Sequence, residues 1–342
     1  MPSSTKPLVL ITGPSGFVGA HVWDELLREG YRVRGTIRSA NKAEFLSNKY
    51  SSQKDDISFT VVPDIQLPGA LDEAMADVDY VCHVASPYLT TVTDPVKELI
   101  EPAVEGTKNV LNSALKAPKL KRLIVLSSIA SVLDFKKNPR PGYTYTEADW
   151  NPVTDEESRM NGVVGYAASK TFAERAAWQF LETEKPAWDL VTLCPPMIYG
   201  PPLHNVDPKR GVAGLNTSLS RLLTGIKGQD PAFKPKVATP GLPVWVDVRD
   251  LAKAHAAALK LPQGVSERFV LCGGVNYFED GLTGLRARGE KGLGEPGAKC
   301  DPKNHFAIDT TKAQSVLGIK YTPFQKTVED VWESARALGL IE

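Results

Sequence analysis

Residues 8–30, LVLITGPSGFVGAHVWDELLREG, decide the fold. The apolar, largely β-branched run LVLIT (8–12) reads as a buried strand. The spacing of apolar residues from Phe17 to about Glu29 reads as an amphipathic helix, with Gly30 as its stop. Between them Gly13, Gly16 and Gly19 form G-x-x-G-x-x-G, placed directly after a strand and opening a helix. In that context Gly13 makes the tight turn and Gly16 lets backbone come close to a pyrophosphate. Gly19 lets the helix pack on the strand, and the helix N-terminus faces the phosphates. A plain tight βα turn is the alternative, and the strand–turn–helix context weighs against it. We expect a dinucleotide site.

Working outward, the same alternation continues. YRVRGTI (31–37), SFTVVPDI (58–65), VDYVCHVAS (78–86), KRLIVLSS (121–128) and WDLVTLCP (188–195) read as further strands, with helices at roughly 95–117 and 163–184. Short β-branched runs alternating with amphipathic helices signal βαβ units. Six such strands in right-handed crossovers make an α/β, doubly wound parallel sheet, the Rossmann fold. After about residue 195 Pro and Gly increase and the alternation is lost. Residues 1–195 are therefore expected to form the dinucleotide-binding domain. Residues 196–342 are expected to be mainly a smaller C-terminal substrate lobe. Within them 242–272, which opens with LPVWVDVRDLAKAHAAALK, is expected to return to the sheet.

Composition narrows the function. The chain has 342 residues, 42% hydrophobic and 23% charged, ordinary globular values. Lys+Arg and Asp+Glu are both 40, so the net charge is zero, which argues against nucleic acid or an anionic membrane as main partner. Cys82, Cys194, Cys272 and Cys300 are far apart and show no C-x-x-C, which reads as reduced thiols in a cytoplasmic protein. No set of His, Cys, Asp and Glu has metal-ligand spacing. The N-terminal apolar run is too short for a signal peptide and no run approaches the length of a membrane span. The sequon at Asn216 is read as chance.

The end of the second strand selects the cofactor. An NAD site expects an acidic residue there, bonding the ribose 2′-hydroxyl. Here RGTIRSANK carries Thr36 in the acidic position, followed by Arg38 and Lys42. A carboxylate would repel a 2′-phosphate, whereas a guanidinium can grip it with two hydrogen bonds. NADPH/NADP is the expected cofactor, with Arg38 the main clamp and Lys42 a second charge. Asp64 and Ile65, at the end of the third strand, could bond the adenine amine and cover its face; Asp64 serves equally well as a helix cap.

Ser127 and Ser128 in VLSSIAS fall at the carboxyl edge of the sheet, where open α/β folds hold their ligands. In VVGYAASK (163–170), Tyr166 and Lys170 stand one helical turn apart with only small residues between them. A phenol beside an ammonium is a plausible acid, and spacing alone also allows an ordinary surface pair.

Taken together, the glycine pattern, the strand-end SS, Y-x-x-x-K and the P-x-x-x-x-G-P of Pro195–Pro201 resemble the extended short-chain dehydrogenase/reductase family. VRGTIRS, VVPDI, HVASP, EADWNP, YAASKTFAERAAW, LNTS and VDVRDLAKAHAAAL resemble in particular its fungal carbonyl, methylglyoxal and aldehyde reductases, relatives of the plant dihydroflavonol and cinnamoyl-CoA reductases. The similarity runs from about residue 8 to 335. FEDGLTGLRARGEKGLGEPG (278–297) departs from the family's usual helix, with unusually many glycines in 279–300.

The resemblance implies a catalytic set of Ser128, Tyr166 and Lys170. Tyr166 protonates the carbonyl oxygen, Lys170 lowers the phenol's pKa and bonds the nicotinamide ribose, and Ser128 holds the carbonyl oxygen. Relatives often add an Asn on the preceding helix, where this chain has Ala103. The resemblance places Gly13, Ser15, Gly16, Phe17, Val18, Gly19, Ala85, Pro195, Ile198 and Ser218 against the cofactor, with Tyr166 and Lys170. It places Ser86, Pro87, Tyr88, Met197 and Tyr199 beside the substrate, with Ser128 and Tyr166. The expected activity is NADPH-dependent reduction of a small-molecule aldehyde or ketone to an alcohol, by a monomer or homodimer. A nucleotide-sugar epimerase or dehydratase of the same fold would normally show an acidic NAD clamp. A non-catalytic NADP-sensing regulator would normally lack the tyrosine or the lysine.

Overall fold

The computed structural model describes residues 6–86, 92–229 and 242–341. The chain divides into two compact units. The first comprises residues 1–136, 147–194 and 252–269; the second comprises 137–146, 195–251 and 270–342.

The first unit is built on a seven-stranded sheet. Its strands are β1 (Leu8–Thr12), β2 (Arg32–Ile37), β3 (Ile57–Val61), β4 (Tyr80–His83), β5 (Arg122–Leu126), β7 (Asp189–Cys194) and β10 (Glu267–Val270). They lie in the order β10-β7-β5-β4-β1-β2-β3. The pairs β1–β2, β2–β3, β1–β4, β4–β5 and β5–β7 are parallel. The order reverses at β1, so the chain runs outward one way through β2 and β3 and the other way through β4 and β5. Ligands of open α/β sheets bind at the carboxyl ends beside such a switch point. Both central faces are covered, so β1 is buried along its whole length.

The helices that position the site are α1 (Phe17–Arg28), α2 (Glu101–Leu115) and α3 (Gly162–Glu184). Helix α1 ends where Gly30 adopts φ +83°, with Tyr31 N–H donating to Leu26 C=O and Gly30 N–H to Leu27 C=O. Leu8, Leu10, Val81, Leu123, Val125 and Leu190 of the sheet pack with Val110, Leu111 and Ala114 of α2 and Ala177 of α3. Fully burying each Leu or Val side chain contributes about 1.5–3 kcal/mol. The buried Arg122 ties the far side together. It donates to Asp189 Oδ2 at 2.7 Å and to the carbonyls of Ala258, Leu259, Leu261 and Pro262.

The second unit holds two small sheets. One contains β8 (Met197–Tyr199), β9 (Val244–Asp247) and β11 (Gly274–Val275), in the order β11-β9-β8. The other pairs β6 (Thr144–Tyr145) with β12 (Ala307–Ile308). Its longer helices are α4 (Thr217–Ile226) and α6 (Phe324–Ala337); α5 (Val248–Leu259) carries the chain from this unit into the first. Asp247, wholly buried, accepts from Arg249 and from Thr327 Oγ1, which fixes α6 beneath β9.

Two differences from the expectations set out above have plain causes. Strand β3 stops at Val61, because Pro63 cannot donate to a ladder and Asp64 instead accepts from Gln66 N–H (2.8 Å), closing a turn. Residues 244–247 pair with β8 and β11, not with the large sheet; the part that joins the first unit is 252–269, ending in β10. The glycine-rich region contains two short helices, Phe278–Gly281 and Thr283–Ala287, the first capped by reciprocal bonds between Tyr277 and Asp280.

Candidate active site

The β1–α1 turn has the geometry its glycines predict. Gly13 sits at φ +70°, which an L side chain resists, and its carbonyl accepts from Gly16 N–H at 3.1 Å. A Cβ on Gly19 would lie 2.1 Å from Gly13 O, so helix and turn approach as closely as backbone allows. Across the sheet, a Cβ on Gly35 of β2 would meet Pro14 Cγ at 2.7 Å; that glycine makes room for the loop. Gly16 is the N-cap of α1 and supplies no side-chain bond, while Ser15 and Gly16 are exposed. No side chain caps the N-terminus of α1, and the positive end of the helix dipole there favours a phosphate. Phe17 and Gly19 are buried and Val18 is half-buried.

Arg38 directly follows β2 and Lys42 closes the short turn Ala40–Lys42; both are exposed, and Thr36 is buried in the strand. Two cations thus stand on the surface just past the carboxyl end of β2, one strand from the glycine turn.

Beside β1, Thr12 is the hub of the β4 end. Its Oγ1 accepts from the N–H groups of Val84 and Ala85, both at 3.0 Å, and lies 2.9 Å from His83 Nδ1. A hydroxyl that already accepts twice has only its proton left to offer. Thr12 therefore donates to Nδ1, and His83 is the Nε2–H tautomer. Burial pulls the His83 pKa down to about 3, and the Lys170 charge pulls the same way, so the ring stays neutral. Ala85 is half-buried, with its Cα 3.3 Å from where a Gly13 Cβ would be, and Ser86 is exposed. Pro87 and Tyr88 lie outside the described residues.

Helix α3 begins at Asn161, whose Oδ1 accepts from Val163 and Val164 N–H. Its first buried stripe, Gly165, Ala167, Ala168 and Ser169, brings the helix close to its neighbours; a Cβ on Gly165 would strike Pro95 at 2.5 Å. Tyr166 is half-buried and Lys170, one turn on, is 9% exposed. Lys170 Nζ reaches the Leu126 carbonyl at 3.5 Å, at the end of β5. Burial lowers the Lys170 pKa to about 8, against the opposing field of Glu174. Ser128 follows that strand end, half-buried, its Oγ accepting from Ala130 N–H at 3.1 Å. A cavity lined by Ile65, His83, Ala85, Ser86, Ser127 and Lys170 opens beside them, with Ala103 and Gly106 of α2 on its wall.

In the second unit, Pro195 is buried, Met197 and Ile198 are half-buried on β8, and Ser218 is half-buried in the first turn of α4. Tyr199 is buried, its ring 6.3 Å from that of Phe324, and Trp245 packs tilted against the same ring at 4.7 Å.

Two groups of structural weight escaped the sequence reading. Thr12 closes β1 with a polar residue after four apolar ones, and Glu174 repeats the Tyr166–Lys170 spacing by one more turn on a helix face of small residues. Both patterns were available as signals.

A dinucleotide turn, a strand-end serine and a tyrosine–lysine pair on one helix define the class of an oxidoreductase-type nucleotide fold. The chain belongs to the NAD dependent epimerase/dehydratase family, whose model matches residues 9–273. It is 39% identical over 338 residues to a putative uncharacterized oxidoreductase of Schizosaccharomyces pombe, covering 96% of this chain and 98% of that one. It is 35% identical to the putative NADPH-dependent methylglyoxal reductase GRP2 of Candida albicans, covering 96% and 98%. The crystal structure of the yeast methylglyoxal/isovaleraldehyde reductase Gre2 complexed with NADPH superposes with a TM-score of 0.84 at 30% identity, covering 98% of this chain and all of that one.

Proposed function

We propose that this protein is an NADPH-dependent carbonyl reductase that converts small aldehydes and ketones to alcohols. The observation that carries the proposal is the joint placement of Ser128, Tyr166 and Lys170: Lys170 Nζ bonds the carbonyl of Leu126, two residues before Ser128, and stands one turn from Tyr166. Its relatives' naming as NADPH-dependent methylglyoxal reductase and its likeness to an NADPH complex support the cofactor and the reaction class.

The uncapped α1 N-terminus, with Ser15, Gly16, Phe17, Val18 and Gly19, suits the pyrophosphate, and Arg38 with Lys42 suits the 2′-phosphate. Asp64, Ile65, Ala85, Pro195, Ile198 and Ser218 are assigned to the cofactor on motif match, as Ser86, Met197 and Tyr199 are to the substrate. NADPH, when bound, supplies the hydride that reduces the carbonyl carbon. The protein's own part is acid chemistry. Ser128 Oγ–H donates to the substrate oxygen and orients it. Tyr166 transfers its phenolic proton to that oxygen as negative charge develops there. A free phenol has a pKa of about 10 and is a reluctant donor at neutral pH. The Lys170 ammonium stabilises the phenolate left behind and so makes the phenol more acidic.

The test is NADPH oxidation followed across aldehydes, diketones and aryl ketones, with NADH as control. Turnover of several carbonyl compounds with NADPH, and little with NADH, is expected. No turnover of any of them would reject the reading.

A further inference from the structure

Glu174 lies one turn beyond Lys170 on α3 and is wholly buried. Its carboxylate accepts from Ser127 Oγ at 2.6 Å, Ser131 Oγ at 2.5 Å and Arg268 Nε at 2.8 Å, and Cys194 Sγ lies 3.5 Å away. Arg268, on β10, is also buried. It donates to the carbonyls of Glu147 and Asp149 and lies 3.8 Å over the Trp150 ring. All these groups belong to the first unit. Burial pushes the Glu174 carboxyl toward its neutral form. Arg268 and the two serine hydroxyls outweigh it and hold the group below the usual carboxylate range.

An ion pair taken wholly out of water is a weak source of stability, because desolvating both charges offsets their attraction. Well-packed apolar residues of similar volume often serve as well as a buried ion pair in holding elements together. The position of this pair points instead to the site. Glu174 grips Ser127 and Ser131, the residues flanking the Ser128 turn. Ser131 Oγ is also 2.7 Å from the Ser128 carbonyl, so its single proton is shared between that oxygen and Glu174. Ser128 comes from one element and Tyr166 and Lys170 from another. Glu174 joins the two.

It is also the nearest counter-charge on the helix of Lys170. The titratable groups facing Lys170 are Tyr166 and Glu174 on α3, His83 on β4 and Cys194 on β7, with Arg268 on β10 behind Glu174. His83 is neutral, and burial raises the Cys194 thiol to about 12, so it too is neutral. Glu174 and Arg268 therefore set the field.

We propose that Glu174 is a positioning residue of the reductase site: it registers the Ser128 turn against the helix of Tyr166 and supplies the counter-charge that keeps Lys170 protonated in the protein interior. The inference rests on the proposed roles of Ser128, Tyr166 and Lys170.

The two roles separate experimentally. Glu174→Gln keeps an oxygen for the serines and removes the charge. With Arg268 then uncompensated, Lys170 loses its proton more readily, so the alkaline limb of kcat/KM for carbonyl reduction moves down by about one pH unit. Glu174→Asp keeps the charge on α3, so the limb stays near its wild-type position. A limb that moves in Glu174→Gln and returns in Glu174→Asp cannot come from a general loss of stability. Ser131→Ala keeps both charges and loosens the turn, so kcat falls severalfold while the limb stays in place. A limb unmoved in Glu174→Gln, or moved equally in Glu174→Asp, overturns the electrostatic role. Wild-type kcat in Ser131→Ala overturns the positioning role, and this variant decides the matter if the Glu174 variants do not fold. If Tyr166→Phe is inactive in the same assays, such a failure belongs to this inference alone.

Discussion

The ammonium of Lys170 reaches the carbonyl oxygen of Leu126 at 3.5 Å, so the helix bearing Tyr166 is tied to the strand end that leads into Ser128. The tie is between a side chain buried at some cost and a backbone acceptor at the carboxyl edge of the sheet. An interior lysine is expensive to desolvate, and one placed beside a tyrosine and a strand end is better explained by chemistry than by packing.

Ser128→Ala tests the other side of that tie. If Ser128 orients the substrate oxygen, its loss removes one donor to the developing charge. Turnover should fall by about 10²-fold while the Kd for NADPH, followed by quenching of protein fluorescence, is unchanged. An effect confined to cofactor affinity would contradict the assignment.

Arg38→Asp addresses cofactor choice. The guanidinium stands exposed just beyond β2, where a 2′-phosphate is expected. Losing a charge-assisted bond costs about 1.5–3 kcal/mol, so KM for NADPH should rise at least tenfold. KM for NADH should fall or hold, because a carboxylate there can bond the ribose hydroxyl. Unchanged kinetics with both cofactors would sink the clamp.

His83 gives a stability prediction. Its folded pKa, about 3, lies below the ordinary histidine value of 6.5, so the unfolded chain binds the extra proton first as pH falls. The stability contributed by the neutral ring is present above about pH 6.5 and is lost as pH falls toward 3. Urea unfolding midpoints measured from pH 7 to pH 4 should therefore decline, and His83→Gln should show a shallower decline. An identical slope in both would place the acid sensitivity elsewhere.

Much of this site is legible in the sequence alone. The glycine turn is readable because each glycine answers a local demand: a positive φ at Gly13 and a carbonyl 2.1 Å from any Cβ at Gly19. The doubly wound parallel sheet follows from alternation and the handedness of crossovers, whereas the order of its strands is set by pairing that no local pattern encodes. The features that escape are set by distant pairing. Residues 144–145 join the second unit because Ala307 and Ile308 lie beside them, and two residues carry no periodicity. Strand β10 is short and opens with Glu267 and Arg268, which local pattern reads as polar chain. Arg268 is interior where Glu174, 94 residues earlier, meets it. No window along the sequence contains that pair.

The central claim is that Tyr166 delivers the proton to the substrate oxygen beside bound NADPH. The most direct measurement is Tyr166→Phe, with NADPH binding and single-turnover reduction of an aldehyde followed on the same preparation. We expect the Kd for NADPH to be essentially unchanged and the reduction rate to fall by about 10²- to 10⁴-fold. A variant that reduces the aldehyde as fast as the wild type would contradict the account.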